Sequence, residues 1–228
     1  MAVALSGLVL AAGCSPSKFR YVAHADTETY LKVPRTWKSF DGELLVQAEA
    51  AAVELAGEDA PSFVDQAFQG QVQWRIAFDG DPRPEPLHAV SYAEAPVVEV
   101  RVRELTDDER DRVNIASLRN MFFPYDQLKA QYDEERASSP LGPNPPITES
   151  FRPLADEPIQ QGEGARGSRL RFELRQKGQF YVVDQTTLLD AGSDRVHVLL
   201  IRAGEREFIL QRKLLDEIAS SFTVKQKG

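Results

Sequence analysis

Two hydrophobic rhythms run through the chain, one near 3.6 residues and one of 2, and the switches between them mark the elements. TYLKVPRTWKSF (29–40) predicts a short strand, a break at Pro34 and a second extended piece, because proline cannot donate to a ladder. Over 43–56 (ELLVQAEAAAVELA), Leu44, Ala48, Ala51, Ala52 and Leu55 recur at helical spacing, with Asp41 placed to cap the start and Gly57 to end it. A further helical turn is expected over 61–68, opened by Pro61. The period then falls to 2. In QVQWRIAF (71–78), Val72, Trp74, Ile76 and Phe78 alternate with Gln and Arg. HAVSY (88–92) and VVEVRVREL (97–105) continue as strands, the latter with Val98, Val100 and Val102 inward and Glu99, Arg101 and Arg103 on a wet face.

Thr106 and Glu109 stand at capping-box spacing and predict a helix to about Phe122, and Pro124 opens another to about Arg136. Residues 137–150 (ASSPLGPNPPITES) hold four prolines and no periodicity, the composition of a linker or an extended surface loop. A second β-rich run follows: RLRFELR (169–175), QFYVVDQTTLL (179–189) and RVHVLLIR (195–202), joined by the hairpin turns QKGQ and DAGSD. The chain closes with a helix over 205–220, whose stripe of Phe208, Leu215 and Ile218 continues at Phe222. Consecutive strands joined by hairpins give the class α+β: an antiparallel sheet covered by helices mainly on one face, with a closing C-terminal helix.

Length and composition narrow the function. At 228 residues the chain can bury a core without staples, and 42% hydrophobic with 27% charged residues is ordinary for a globular domain. The net charge is −8 and no basic cluster interleaves with aromatics, which argues against a nucleic-acid partner.

Cys14 is the single cysteine, and it sits just past an apolar, uncharged run over 2–12 (AVALSGLVLAA). As a helix that run reaches roughly 16 Å, too short for a hydrocarbon core of ~30 Å. It has the length of a secretory h-region, followed by small residues where a peptidase binds. Ala11-Ala12-Gly13-Cys14 resembles the lipobox of bacterial lipoproteins, with Ala11 where that family more often has Leu. The resemblance implies cleavage between Gly13 and Cys14, a diacylglycerol on the Cys14 thiol, and a membrane partnership through the acylated residue. Two or more acyl chains make such an anchor stable where one does not. No Lys or Arg precedes the apolar run, so basic residues are expected upstream of Met1. The organisation that follows is a signal peptide over 1–13, a lipidated tether over 14–23, an α+β part over 24–136, the proline-rich 137–150, and a βββα part over 151–226 forming one domain with 24–136.

ETYLKVPRTWKSF (28–40) and LLDEIASSFTVK (214–225) resemble the opening and closing segments of PsbP-like proteins and related actinobacterial lipoproteins. The likeness implies an antiparallel sheet with flanking helices and mostly non-catalytic roles, as accessory subunits or surface binding proteins, and carries over no functional residue.

Candidate chemistry is sparse. His24, His88 and His197 are far apart in sequence and none has a second His or Cys at zinc-motif spacing, so no metal or other cofactor is expected. A hydrolase would need a scattered constellation such as His24 with Asp26. DGD (79–81) lacks the run of oxygen ligands a calcium loop needs, and the glycine-rich 162–169 lacks the lysine of a phosphate loop. Asp184, beside Val182 and Val183, either faces water at a strand bend or pairs with an arginine such as Arg171 in a small site. MFFPY (121–125) places a proline between aromatics, so Phe122, Phe123 and Tyr125, with Asp184, are the residues of a candidate ligand cleft. The reading that follows is a lipid-anchored envelope protein with a non-enzymatic binding or assembly role. Its rivals are a cell-envelope hydrolase and a carrier of an apolar or glycolipid ligand.

Overall fold

The computed structural model describes residues 17–56, 72–121, 123–138, 151–162, 164–176 and 178–225. The fold is α+β with antiparallel sheets. In chain order it runs β1 (Phe19–His24), β2 (Thr29–Pro34), β3 (Lys38–Asp41), α1 (Gly42–Ala56), β4 (Val72–Asp79), α2 (Pro86–Val90), β5 (Val97–Glu104), α3 (Asp107–Arg110), α4 (Ile115–Arg119) and α5 (Tyr125–Ser138). It continues with β6 (Phe151–Gln160), β7 (Arg166–Gln176), β8 (Gln179–Leu189), β9 (Arg195–Gly204), α6 (Glu205–Ser221) and β10 (Thr223–Val224). Among the described residues a seven-stranded sheet has the order β3-β4-β5-β9-β8-β7-β6, and a three-stranded sheet the order β1-β2-β10. The pairing of β5 with β9 joins the two halves of the chain in one sheet.

The large sheet is covered on both faces. On one, Val98, Val100, Val102, Leu199 and Ile201 pack against Phe208, Leu215 and Ile218 of α6 and against Leu31 and Val33 of the small sheet. On the other lie separate clusters: Leu45, Ala48 and Ala52 of α1 with Ala77 and Val97, Tyr125 and Tyr132 of α5 with Phe172 and Val183, and Leu118 of α4 with Val196. The predicted α6 stripe, Phe222 included, is buried in full. At about 25 cal/mol per Å² of apolar surface, burying each such large side chain stabilises the fold by roughly 2 kcal/mol.

Several elements differ from the sequence reading. The face of β5 expected to be wet is buried, because Glu99, Arg101 and Arg103 neutralise one another or their neighbours under the helices. The phase of α1 also differs by one position: Leu45 is buried and Leu44 is 41% exposed. The inward face 45/48/49/52 includes the half-buried Glu49, whose carboxylate meets Arg75 at 2.6 Å. Asp41 caps this helix as expected, accepting from the Leu44 N–H at 3.1 Å.

Residues 88–92 lie at a helix rather than a strand. The Asp79 carboxylate accepts from the Glu85 N–H and pairs with His88, folding the loop back so that Pro86 starts α2. The helix expected to reach about Phe122 is two short ones. The Thr106–Glu109 capping box forms, but Asn114 and Ser117 form a second box that restarts the chain after one turn.

Three strands carried little or no period-2 signal. β1 occupies part of the stretch expected as tether, and β10 has only Thr223 and Val224. β6 contains Pro153 and Pro158 and is an edge strand with an irregularity between Pro153 and Ala155, the placement prolines require. The expected turn at 61–68, Gly57, Phe122, most of 137–150 and the whole signal segment with Gly13 and Cys14 lie outside the described residues.

Candidate functional site

One corner of the fold gathers two of the three histidines. β1 ends at His24, a 3₁₀ turn covers Ala25–Thr27, and β2 begins at Thr29. This close succession lets His24 Nδ1 reach Thr27 Oγ1 at 2.9 Å, while Thr27 Oγ1 lies 3.0 Å from Thr29 Oγ1. Thr29 Oγ1 in turn lies 2.9 Å from His197 Nδ1 on β9. Its hydroxyl donates to the Thr27 carbonyl at 3.1 Å, so its lone pairs accept from Thr27 O–H and from His197 Nδ1–H. This assignment leaves His197 Nε2 as a bare acceptor. His197 is fully buried, and burial, with a smaller contribution from Arg195, pushes its ring down to about 3. It is neutral at physiological pH. His24 stacks on Trp74 at 4.7 Å between centroids; its partner is Thr27, not the Asp26 of the hydrolase pairing.

Beside this chain of hydroxyls lies a cavity of about 260 Å³, bounded by the turn before β2, the β8–β9 turn and the end of β10. Its lining includes His197, Arg195, Glu28, Asp190, Asp194 and Lys225. Two buried lining atoms, Arg195 Nε and His197 Nε2, have no hydrogen-bond partner. Glu28 (φ 51) and Ser193 (φ 62) are the positive-φ non-glycine residues among those described, and both stand in the turns that frame this cavity. Left-handed backbone outside glycine is uncommon and gathers at binding sites.

The residues proposed as an aromatic cleft do not come together with Asp184. Phe123 and Tyr125 are buried in a cluster with Phe151 and Phe172 on the face covered by α5. Phe122 is not described. Asp184 faces the other way, toward α6, where it receives Arg169 at 2.8 Å and Arg171 at 3.0 Å. Asp216 of α6 closes the network by accepting from Arg169 at 2.9 Å. Of the two alternatives for Asp184, pairing with Arg171 is the one observed.

A second charge network lies under α1 and α2. Burial alone would raise the Glu99 carboxyl, but Arg101, Arg75 and Arg202 outweigh it and hold the group down to about 2. Arg202 is pushed down to about 10 by burial, despite Glu99, and donates to the Ala89 carbonyl. The third histidine, His88, is held by Asp79 at 2.8 Å, and the same carboxylate takes the Asp81 and Glu85 N–H groups. That is a loop-folding role. Among the described residues no group of three or more His, Cys, Asp or Glu side chains is arranged to hold a metal ion, and no helix is long and apolar enough to cross a membrane.

No protein-family model matches the chain, and no curated protein matches it. Solved structures do. LpqN, involved in cell envelope biogenesis of Mycobacterium tuberculosis, is 16% identical at a TM-score of 0.45, covering 91% of each chain. The cyanobacterial PsbP of Synechocystis is 13% identical at 0.47, covering 93% of this chain and 95% of its own. The yeast Ran-binding protein Mog1p is 12% identical at 0.42, covering 90% of this chain and 95% of its own. At these identities and TM-scores none of the three says what this chain does.

Proposed function

We propose that the chain is a lipid-anchored, extracytoplasmic protein of a bacterial cell envelope with a non-enzymatic binding or assembly role. The observation that carries this reading is the placement of the lone Cys14 directly behind an apolar, uncharged run and two small residues. Only Ser15 and Pro16 separate Cys14 from Ser17, whose carbonyl accepts from Arg35 Nε at 2.9 Å. The Arg35 N–H also donates to the Lys18 carbonyl at 3.0 Å, fixing the root of β1. Three residues of extended chain span at most ~10 Å, so acyl chains on Cys14 hold this end of the domain against the lipid headgroups. Lys18, Arg35 and Lys38 are exposed at the same end, with the charge that suits an anionic leaflet. A binding role fits the histidines, whose Nδ1 atoms are each committed to an internal partner.

Metabolic labelling with an alkynyl fatty acid tests the anchor. The wild-type protein takes up the label and Cys14→Ser does not. Equal labelling of both, or an unlabelled wild type, overturns it.

A further inference from the structure

We infer that the outer face shared by β1, β2 and α6 lies on the lipid headgroups of the membrane, with Tyr21, Ile209 and Leu210 at the headgroup boundary and Arg206 and Lys213 on anionic lipid. This deepens the anchor reading, and rests on it for the nearness of the bilayer.

Three side chains mark the face. Tyr21, Leu210 and Ile209, at 84%, 67% and 63% exposed, are the most exposed large hydrophobic residues among those described. On α6, Arg206, Ile209, Leu210, Lys213 and Glu217 stand at i, i+3, i+4, i+7 and i+11, which makes one stripe. Phe208 and Leu215 point the opposite way, into the core. The small sheet packs Leu31 and Val33 into that same core, so its outer side looks away from the large sheet as the α6 stripe does. Tyr21 stands opposite Lys32 in the β1–β2 register, and opposite residues share a face. Lys32 in turn reaches Glu217 at 2.6 Å. The strand and helix surfaces are continuous through this ion pair.

Charge selects the occupant. Arg206 and Lys213 are exposed and make no ion pair among the described residues. The nearest carboxylates are engaged: Glu217 by Lys32, and Asp216 by Arg169 and Arg171. Glu205 and Glu207 flank the stripe, each half-buried, and Asp26 and Glu28 stand in the turn at the far end of β1. The chain as a whole carries −8, so free cations beside exposed apolar side chains set this face apart. A helix face of this composition buries its apolar side chains at the headgroup boundary while its cations meet anionic lipid. Tyrosine suits the same depth, with an apolar ring and a polar tip. Ser17 lies three residues from Cys14, or ~10 Å of extended chain, and Tyr21 is four residues further, roughly 13 Å along β1. Acyl chains on Cys14 therefore hold the edge of this face at the bilayer.

A fluorophore on one introduced cysteine reads the face directly. In the full chain carrying Cys14→Ser, which has no other cysteine, Tyr21→Cys, Leu210→Cys and Val46→Cys are each labelled with nitrobenzoxadiazole. Each is then mixed with vesicles of phosphatidylglycerol and phosphatidylcholine. The labels at positions 21 and 210 brighten roughly twofold or more and shift to the blue. The label at position 46, exposed on α1 across the large sheet, does not. Arg206→Gln with Lys213→Gln weakens vesicle binding roughly tenfold or more, as does replacing phosphatidylglycerol with phosphatidylcholine. All these positions are exposed, so the variants keep the fold. Equal brightening at position 46 overturns the assignment, as does binding undiminished in the double variant. No brightening at positions 21 and 210, the result expected of a protein-docking face, overturns it too. The chain in this test bears no acyl group, so its outcome is separate from the fatty-acid labelling of Cys14.

Discussion

Thr29 Oγ1 and His197 Nδ1 lie 2.9 Å apart across 168 positions of sequence, and this contact links the small sheet to the centre of the large one. The burial of the His197 ring also makes the fold acid-sensitive. The ordinary histidine value is 6.5, and His197 is depressed to about 3 by burial and by Arg195. Between those values the unfolded chain binds a proton that the folded chain excludes, so stability rises with pH across this window and falls on acidification through it. Fully developed, the effect is on the order of 5 kcal/mol. Nitrogen-15 spectra of the imidazole at pH 5 are expected to show a neutral His197, with the urea midpoint falling from pH 7 to pH 4. A ring that titrates near its ordinary value contradicts this.

Glu99 acts in the same direction at lower pH. Its carboxyl, lowered from 4.5 to about 2 by three arginines that outweigh burial, contributes stability that is present above 4.5 and lost as pH falls toward 2. Glu99→Gln removes the carboxylate shared by Arg75, Arg101 and Arg202, and is expected to cost about 3–5 kcal/mol in urea unfolding. Glu49→Gln, at the helix side of the same network, costs about 1–2 kcal/mol, because Glu99 remains. Equal losses would show that the network is not centred on Glu99.

Asp184 and Asp216 share the same two arginines, Arg169 and Arg171, but differ in burial. Asp184 is 1% exposed and binds both Arg169 and Arg171, whereas the Asp216 side chain is 38% exposed. Asp184→Asn is expected to destabilise by about 3–5 kcal/mol and Asp216→Asn by about 1 kcal/mol. A cycle of the two single variants and the double variant, read by thermal or urea unfolding, gives their coupling. A larger loss at Asp216 would mean that the contact with α6, rather than the buried carboxylate, holds the two guanidiniums.

The legible part of the fold is the part written in strong period. The α6 stripe, the β7–β9 hairpins and the valines of β5 all follow from alternation or helical spacing. The charged positions of β5 are where alternation misleads, since Glu99, Arg101 and Arg103 satisfy each other or nearby side chains and so tolerate burial under helices. β6 is masked by its prolines, tolerated because its outer edge needs no donors. The cavity corner carries no local signature. His24, Thr27 and Thr29 are ordinary polar residues in sequence, and only the return of β9 brings His197 to them. Asp184 was legible as a residue that needs a partner, and Arg171 as one candidate, because a mid-strand charge between valines is costly alone.

The central claim is the lipid on Cys14, and mass spectrometry of the N-terminal peptide of the mature protein, isolated from its native membrane, tests it most directly. The predicted result is a chain that begins at Cys14 and carries a diacylglycerol on the thiol. A peptide that runs through Gly13 and Cys14 uncut, with the thiol free, would contradict it.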